Sequence, residues 1–295
     1  TIPGPLRDRM DIIELPSYTR IEKYQIARRH LIPKQLKNTG LEKKVVFRSA
    51  AIYGIIDGYV QEAGVRSLER TIVEVLRKCA RKIASGEVES VAVTAAMLEE
   101  LLGPRIVKPD FLNRTNAVGI ANGLAWTSVG GVTLEIEVNV LPGKGELVLT
   151  GKLGDVMKES ARAGISYIRS ISSDYSIDPE FFTKHDIHVH IPEGAVPKDG
   201  PSAGITMALA ILSAVTNRPV RADIAMTGEI TIRGRVLPIG GLKEKLLAAK
   251  NAGMNTVCIP KDNVSDLSEI SEEITDGMEI LPINHMNQLI KAAFV

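Results

Sequence analysis

The stretch IPEGAVPKDGPSAGITMALAILSAV, residues 191–215, passes from a proline- and glycine-rich segment into an uninterrupted apolar run. Pro201 suits the first turn of a helix, because the N–H that proline lacks would be unpaired there. The run that follows carries no charged residue, which predicts a buried helix over residues 201–216. Ser202 is therefore expected at the N-terminus of a buried helix.

Ser202 at that position has two interpretations. A helix N-terminus gathers free N–H groups and the positive end of the dipole, which stabilise the oxyanion of acyl transfer, so Ser202 is a candidate nucleophile. Alternatively, Ser202 or Asp199 only caps the helix, and this stretch alone supports both interpretations equally. A Walker phosphate loop is excluded, because Lys198 precedes Gly200 and no lysine follows it.

A nucleophilic serine needs a base, and the nearest histidines are His185, His188 and His190. His188 and His190 share one face of a predicted strand, which would suit a metal pair. No carboxylate or cysteine stands at a supporting spacing. The pattern therefore favours histidines that fill space or form hydrogen bonds over metal ligands.

Lysine is the other candidate base. The segment LPIGGLKEKLLAAKNAGM, residues 237–254, predicts a helix closed by Gly253 and places Lys245 among small and apolar neighbours. Removal from water favours a neutral amine, and a catalytic base needs its pKa lowered from about 10.4 to about 7–8. Lys243 shares a direction with Lys250, as in a solvated stripe. The pattern favours Lys245 over Lys243 without excluding Lys243.

The character of the sequence changes near residue 105. Helical spacing dominates before it, as in SLERTIVEVLRKCARKIAS at residues 67–85. After it, GVTLEIEVNVL at residues 131–141 alternates as a strand does, and short strands then alternate with helices. We predict an all-α domain over residues 1–105 and an α/β or α+β domain over residues 106–295.

Composition is that of a folded chain, with 295 residues, 44% hydrophobic and 24% charged. The first hundred residues carry 17 Lys+Arg against 13 Asp+Glu and the remainder 19 against 22, so at most weak nucleic-acid binding is expected. Cys79 and Cys258 lie far apart in apolar surroundings, which predicts buried thiols in a reducing cytoplasm. No leader or membrane span is expected. The missing initiator Met suggests a segment of a longer protein.

Several motifs together resemble the proteolytic domain of the Lon family, ATP-dependent serine proteases with a Ser-Lys dyad. They are PKDGPSAG at 197–204, MTGEITIRGRVLPIGGLKEKLLAA at 226–249, GLAWTSVGGVTLEIE at 123–137 and LTGKLGDVMKESA at 149–161. The resemblance implies Ser202 as nucleophile and Lys245, the second lysine of LKEK, as general base. It also implies that Asp199 lies beside the dyad, adjusting access or the lysine charge, and that Thr227 hydrogen-bonds the amine.

The first hundred residues are similar to the lid of the AAA+ module that precedes the protease in Lon. The likeness lies in IPGPLRDRMDIIELPSYTRIEKYQIARRHLIP at 2–33 and QEAGVRSLER at 61–70. It implies that Arg9 is the arginine finger and Arg66 the sensor-2 arginine of the intact enzyme, both facing the γ-phosphate. Because the chain has no Walker A or Walker B motif, we expect no cofactor here, and ATP with Mg²⁺ only for the full-length enzyme. In this chain Arg9 and Arg66 are expected in surface salt bridges.

The resulting interpretation is a truncated Lon: an AAA+ lid followed by a serine endopeptidase that needs no metal. The family implies polypeptide substrates, misfolded and regulatory proteins among them, and a hexameric ring. An extended substrate is expected to pair with strand 132–140 and the GLAWTS segment, while Trp126 is expected in the core. Two alternatives remain. A ring-forming scaffold is disfavoured by the retention of Ser202 and Lys245, whereas a peptidase locked by Asp199 on the lysine is not excluded.

Overall fold

The computed structural model describes residues 2–11, 17–107, 114–127, 130–192 and 198–295. The chain divides into two compact units, residues 1–108 and 109–295, each with its own apolar core. Cys79 and Cys258 are free and buried, as predicted. Within the described ranges, no helix has both the length and the apolar character needed to cross a bilayer.

The first unit is mainly helical. Its helices are α1 (Gly4–Arg7), α2 (Arg20–Ile26), α3 (Ile32–Thr39), α4 (Ser49–Tyr59), α5 (Arg66–Ala84) and α6 (Leu98–Leu102). A π-helical turn, Ala27–Leu31, joins α2 to α3, and a 3₁₀ turn, Ala95–Met97, precedes α6. Strands β1 (Val45–Phe47) and β2 (Val91–Val93) pair in parallel.

Local sequence explains the ends and the irregularity of this helical unit. Thr19 and Glu22 form a capping box at the start of α2, each side chain bonding the other residue's backbone N–H. Pro33 has no N–H to donate to the Arg29 carbonyl. The N–H of Ile32 donates to the carbonyl of Ala27, five residues earlier, and this spacing widens the turn into a π-helix. Helix α5 buries its apolar stripe: Leu68, Ile72, Val75, Leu76 and Cys79.

The second unit is a mixed sheet with helices on both faces. Its strands are β3 (Ile120–Thr127), β4 (Gly130–Pro142), β5 (Leu147–Thr150), β6 (His185–His190), β7 (Ile224–Met226), β8 (Glu229–Ile230), β9 (Val236–Leu237), β10 (Thr256–Pro260) and β11 (Glu279–Ile283). Its α-helices are α7 (Asp155–Ser170), α8 (Phe181–Lys184), α9 (Gly204–Thr216), α10 (Leu242–Asn251), α11 (Glu272–Thr275) and α12 (Met286–Ala293). Further 3₁₀ turns are Ser172–Tyr175, Pro201–Ala203 and Lys261–Glu269.

Seven strands form one sheet in the order β11-β10-β7-β3-β4-β6-β5. The β3–β4 and β4–β6 pairs are antiparallel, and the other neighbours are parallel. Strands β8 and β9 form a separate antiparallel hairpin. The long strands β3 and β4 therefore lie at the centre of the sheet, where both faces can be covered.

The two faces of the sheet carry different helices. Helices α7 and α9 pack together, and α9 covers β3 and β4 with a helix that is buried from Gly204 to Ser213. Helix α10 also contacts β3 and β4, and its core, which contains Leu124 and Leu246, is separate from the one around α9. Strand β4 alternates as predicted, with Leu134, Ile136 and Val138 buried.

The predicted fold class, a helical lid followed by an α/β (α+β) protease domain, is confirmed. The structure adds the two-stranded β1–β2 sheet to the unit that was expected to be all-helical. The division near residue 105 stays a prediction. The compact units separate after residue 108, whereas β2 and α6, up to residue 102, pack into the core of the first unit.

Candidate active site

Ser202 lies in the 3₁₀ turn Pro201–Ala203, which leads directly into the buried helix α9. The backbone carbonyl of Ser202 accepts a hydrogen bond of 2.8 Å from the N–H of Gly228, beyond the end of β7. Gly204 lets the start of α9 lie close to β8, because a β-carbon on Gly204 would lie 2.9 Å from Ile230 Cγ2 and 3.1 Å from the Ile230 nitrogen. The serine is thus held between the start of α9 and the β7–β8 region.

Lys245 lies in the first half of α10 and is only 2% exposed. Burial lowers the pKa of its ammonium to about 8, because the charged form loses its hydration. No ion pair to a described carboxylate compensates for this burial. Lys245 is therefore partly neutral near physiological pH, which a general base requires.

The other lysines of α10 differ in their surroundings. Lys243 is half-buried, and the Lys250 ammonium donates hydrogen bonds to the backbone carbonyls of Glu273 and Asp276, the latter at 2.9 Å. The predicted burial of Lys245 is confirmed. The assignment of Lys245 as base stays a prediction, which its environment favours over Lys243.

Strand β3 connects the elements that carry Ser202 and Lys245. Both the 3₁₀ turn of Ser202 and helix α10 contact β3, and β7 pairs with β3 through Asn122 and Gly123. Gly123 leaves room for α9, because a β-carbon there would lie 3.1 Å from Thr206 Oγ1. Residues separated by 43 positions in sequence are thus carried by two elements that pack on one strand.

Thr227 follows β7 and is fully buried. Its hydroxyl donates a long hydrogen bond, 3.4 Å, to the Ser202 carbonyl, and its N–H donates to Cys258 at 3.1 Å. Thr227 therefore lies against the backbone of Ser202. Its expected hydrogen bond to the Lys245 amine stays a prediction.

Asp199 is exposed and turns toward α7. Its Oδ1 accepts hydrogen bonds from the N–H groups of Met157 at 3.2 Å and Gly200 at 2.9 Å. No ion pair joins the described Asp199 and Lys245 side chains. In this structure Asp199 therefore does not neutralise the lysine.

The histidines near Ser202 in sequence bond elsewhere. His188 Nε2 and His190 Nδ1 lie 2.9 Å and 2.7 Å from Thr150 Oγ1, on the face of β6 opposite the buried Ile187 and Val189. Among the described residues, no group of three His, Cys, Asp or Glu side chains is placed to hold a metal ion.

Arg9 and Arg66 belong to the first unit, and both are exposed. Neither forms an ion pair with another residue of the described ranges, and the expected surface salt bridges stay a prediction. Arg66 begins α5 and lines an open groove of about 550 Å³. The other lining residues are Gln35, Glu69, Arg70, Val73, Glu74 and Arg77.

Trp126 is 60% exposed, which overturns its expected place in the core. It occupies the exposed end of β3 and faces the start of α10, since a β-carbon on Gly241 would lie 3.1 Å from Trp126 Cγ. Two close glycine contacts also escaped the sequence analysis, at Gly131 and Gly154. The only sequence signal was glycine itself, in VGGV and GKLGD.

Comparison with known proteins agrees with this architecture. Residues 92–295 match the family model of the Lon protease (S16) C-terminal proteolytic domain, and residues 37–91 match that of the Lon protease AAA+ ATPase lid domain. The chain therefore belongs to the Lon protease (S16) family.

Two relatives illustrate the relationship. The chain is 55% identical over 296 residues to the Lon protease of Clostridioides difficile (strain 630), and 52% identical over 296 residues to Lon protease 1 of Bacillus subtilis (strain 168). Each alignment covers 100% of this chain and 38% of the relative. The chain thus corresponds to well under half of the length of these proteins.

Proposed function

We propose that this chain is a serine endopeptidase in which Ser202 is the nucleophile and Lys245 the general base. The observation that carries the proposal is the burial of Lys245, which is 2% exposed and has a pKa of about 8. Burying a lysine without an opposing charge costs stability, and such groups concentrate at functional sites. Ser202, at the start of a buried helix contacting the same strand, supplies the matching nucleophile.

The reaction is acyl transfer in two steps. The neutral Lys245 amine accepts the Ser202 hydroxyl proton as the serine oxygen bonds the carbonyl carbon of the substrate, and N–H groups at the start of α9 stabilise the oxyanion. The peptide C–N bond then breaks, and the leaving amine takes the proton from Lys245. A water molecule attacks the acyl-enzyme, passing its proton through Lys245 back to Ser202 and releasing a carboxylic acid.

The substrate is an extended polypeptide that adds to the edge of β3. Strand β7 pairs with β3 only at Asn122 and Gly123, so the backbone of residues 124–127 has no described strand partner on that side. This unpaired edge of β3 begins where β7 ends. Thr227 directly follows β7, and its hydroxyl donates a hydrogen bond to the Ser202 carbonyl. Strand addition would place a peptide bond beside Ser202, and the exposed Trp126 would contact its side chains.

Properties of the longer protein follow from the relatives and the lid. The full-length enzyme is proposed to be an ATP-dependent, cytoplasmic protease of misfolded and regulatory polypeptides, assembled as a hexameric ring, with ATP and Mg²⁺ bound near Arg9 and Arg66. Weak nucleic-acid binding is retained as part of this proposal. The covered 38% of the relatives contains the lid and the proteolytic domain.

Covalent labelling tests the dyad. A fluorophosphonate or peptide boronate should modify Ser202 in the wild-type protein, as located by peptide mass spectrometry. Ser202→Ala should abolish both labelling and peptide cleavage while the protein stays folded, because it removes only the hydroxyl and keeps the Ser202 carbonyl that accepts from Gly228. Lys245→Ala should slow labelling strongly, and Lys243→Ala, on the same helix, is the matched control.

Two results would contradict this function. Cleavage that persists in purified Ser202→Ala would exclude Ser202 as the nucleophile. A folded wild-type protein that neither cleaves peptides nor reacts with either probe would support the scaffold or locked alternatives instead.

A further inference from the structure

The carboxylate of Asp199 ties the segment before the nucleophile to helix α7. Its Oδ1 accepts from Gly200, two residues before Ser202, and from Met157 in the first turn of α7. The first N–H groups of a helix lack partners within the helix, so an external carboxylate satisfies one of them. Asp199 thus caps a helix from which it is separated by 42 positions in sequence.

Gly154 provides the space that this carboxylate occupies. A β-carbon on Gly154 would lie 2.2 Å from Asp199 Cγ and within 2.6 Å of both carboxylate oxygens. Gly154 has φ −69° and ψ 174°, a conformation open to any residue. The backbone therefore does not require glycine there, and the missing side chain serves the close approach of Asp199.

Backbone hydrogen bonds reinforce the same attachment. The N–H of Gly154 donates to the Lys198 carbonyl at 2.7 Å, and the N–H of Lys198 donates to the Lys152 carbonyl at 3.2 Å. On the other side, the Ser202 carbonyl is held by Gly228 at 2.8 Å. The backbone carrying Ser202 is thus anchored on two sides, by α7 through Asp199 and by the β7–β8 region.

We propose that Asp199 is a positioning residue for Ser202. It acts through its hydrogen bond to the N-terminus of α7 rather than through charge on Lys245, and Gly154 provides the space that this hydrogen bond requires. The inference rests on the proposed function of Ser202 as nucleophile. It differs from the expected role of Asp199, which was to adjust access or the lysine charge, because here the carboxylate bonds α7.

Four variants separate hydrogen bonding from charge. Asp199→Ala removes both the hydrogen bond and the charge, whereas Asp199→Asn keeps an acceptor oxygen and removes only the charge. Gly154→Ala keeps the charge but fills the space that the Asp199 carboxylate occupies. Asp155→Ala is the matched control, because Asp155 is an exposed carboxylate in the same turn of α7, and its ion pair in the described ranges is with the half-buried Lys158 at 3.0 Å. Each variant is assayed for kcat, KM, the pH dependence of cleavage, and hydrogen exchange of the Met157 amide.

Asp199→Ala and Gly154→Ala should lower kcat by about 10- to 100-fold with little change in KM, since small displacements of a reacting group cost that much. Both should speed exchange of the Met157 amide, and neither should move the midpoint of the pH profile. Asp199→Asn should recover most of the activity and of the amide protection. Asp155→Ala should match the wild-type protein.

Different results would overturn the inference without touching the dyad. If cleavage depends on Ser202 but Gly154→Ala and Asp199→Ala are fully active, Asp199 does not position the nucleophile. If Asp199→Asn behaves as Asp199→Ala and shifts the pH midpoint, Asp199 acts through its charge on Lys245. Should Gly154→Ala fail to fold, the Asp199→Asn and Asp199→Ala pair still decides between these outcomes. Cleavage unaffected by Ser202→Ala would remove the proposed function itself.

Discussion

Gly131 of β4 meets the backbone of Glu244 in α10 so closely that a β-carbon on Gly131 would lie 1.9 Å from the Glu244 carbonyl oxygen. The same β-carbon would lie 3.1 Å from the Ala248 β-carbon. Strand and helix therefore touch without an intervening side chain. Because Lys245 follows Glu244 directly, this contact sets the distance between the lysine and the sheet.

Gly131→Ala should displace the first turns of α10 and lower peptide cleavage. The overlap is with backbone, which cannot rotate away, so we also expect a loss of about 1–3 kcal/mol in the free energy of unfolding. Gly240→Ala is the matched control, because a β-carbon there meets nothing within 4 Å. Cleavage rates and urea unfolding of the two variants give the comparison, and equal behaviour would show that α10 is not fixed by this contact.

Periodicity carried most of the fold prediction. The alternation in β4 and the long apolar run of α9 follow directly from burial, so strand and helix could be predicted from residue type alone. Strand β7 has only three residues, too few for a period to be recognised, and its place beside β3 depends on pairing across a hundred positions. The exposure of Trp126 could not be predicted either, because this residue lies one position before the end of β3 and residue type does not show where a strand leaves the core.

The site was less open to sequence reasoning. Spacing alone made Ser202 a candidate and ranked Lys245 above Lys243, but only the family resemblance joined them. Thr227 was expected to bond the lysine amine, and Asp199 to adjust access or the lysine charge. The hydrogen bonds that the structure describes for them go to the Ser202 carbonyl and to the α7 N-terminus, which residue type does not reveal. Gly154 leaves space for the carboxylate of Asp199, 45 positions away, and such a long-range contact produces no pattern in the neighbouring sequence.

Lys245→Arg should reduce peptide cleavage by at least about 100-fold at every accessible pH. Guanidinium keeps its proton, and general base catalysis typically contributes a factor of about 10²–10⁴. Lys243→Arg, two residues away on the same helix, should remain close to wild type. Steady-state cleavage of a fluorogenic peptide measures both, and similar losses in the two variants would end the assignment of Lys245.

Cleavage of a small peptide by the wild-type protein should rise with pH through about 8 and then level off. The sign follows from the chemistry, because the neutral amine accepts the serine proton and burial lowers the pKa of Lys245 to about 8. A kcat/KM profile from pH 6 to 10 measures the midpoint in the free enzyme. A rise that disappeared on substitution of His188 or His190, with Lys245 intact, would identify histidine as the base instead.

The same burial predicts a cost in stability that Lys245→Met relieves. The pKa of Lys245 is lowered from 10.5 to about 8 in the folded state, and each unit corresponds to about 1.4 kcal/mol, so the ammonium destabilises the fold by about 3 kcal/mol at most. Between pH 8 and 10.5 the unfolded chain binds more protons at this lysine. Stability of the wild-type protein therefore gains from this group as pH rises through that window, and the full cost is present below about pH 8.

Lys245→Met should accordingly be more stable than the wild-type protein at pH 7, with an advantage that shrinks toward pH 10.5, although it should be inactive as a peptidase. Urea unfolding followed by the fluorescence of Trp126, the single tryptophan of the chain, reports on the second unit. Lys243→Met controls for the substitution itself, and packing differences are independent of pH, so the pH dependence isolates the buried charge. An advantage that stayed constant from pH 7 to 10.5, or grew with pH, would show that Lys245 is not held neutral by burial.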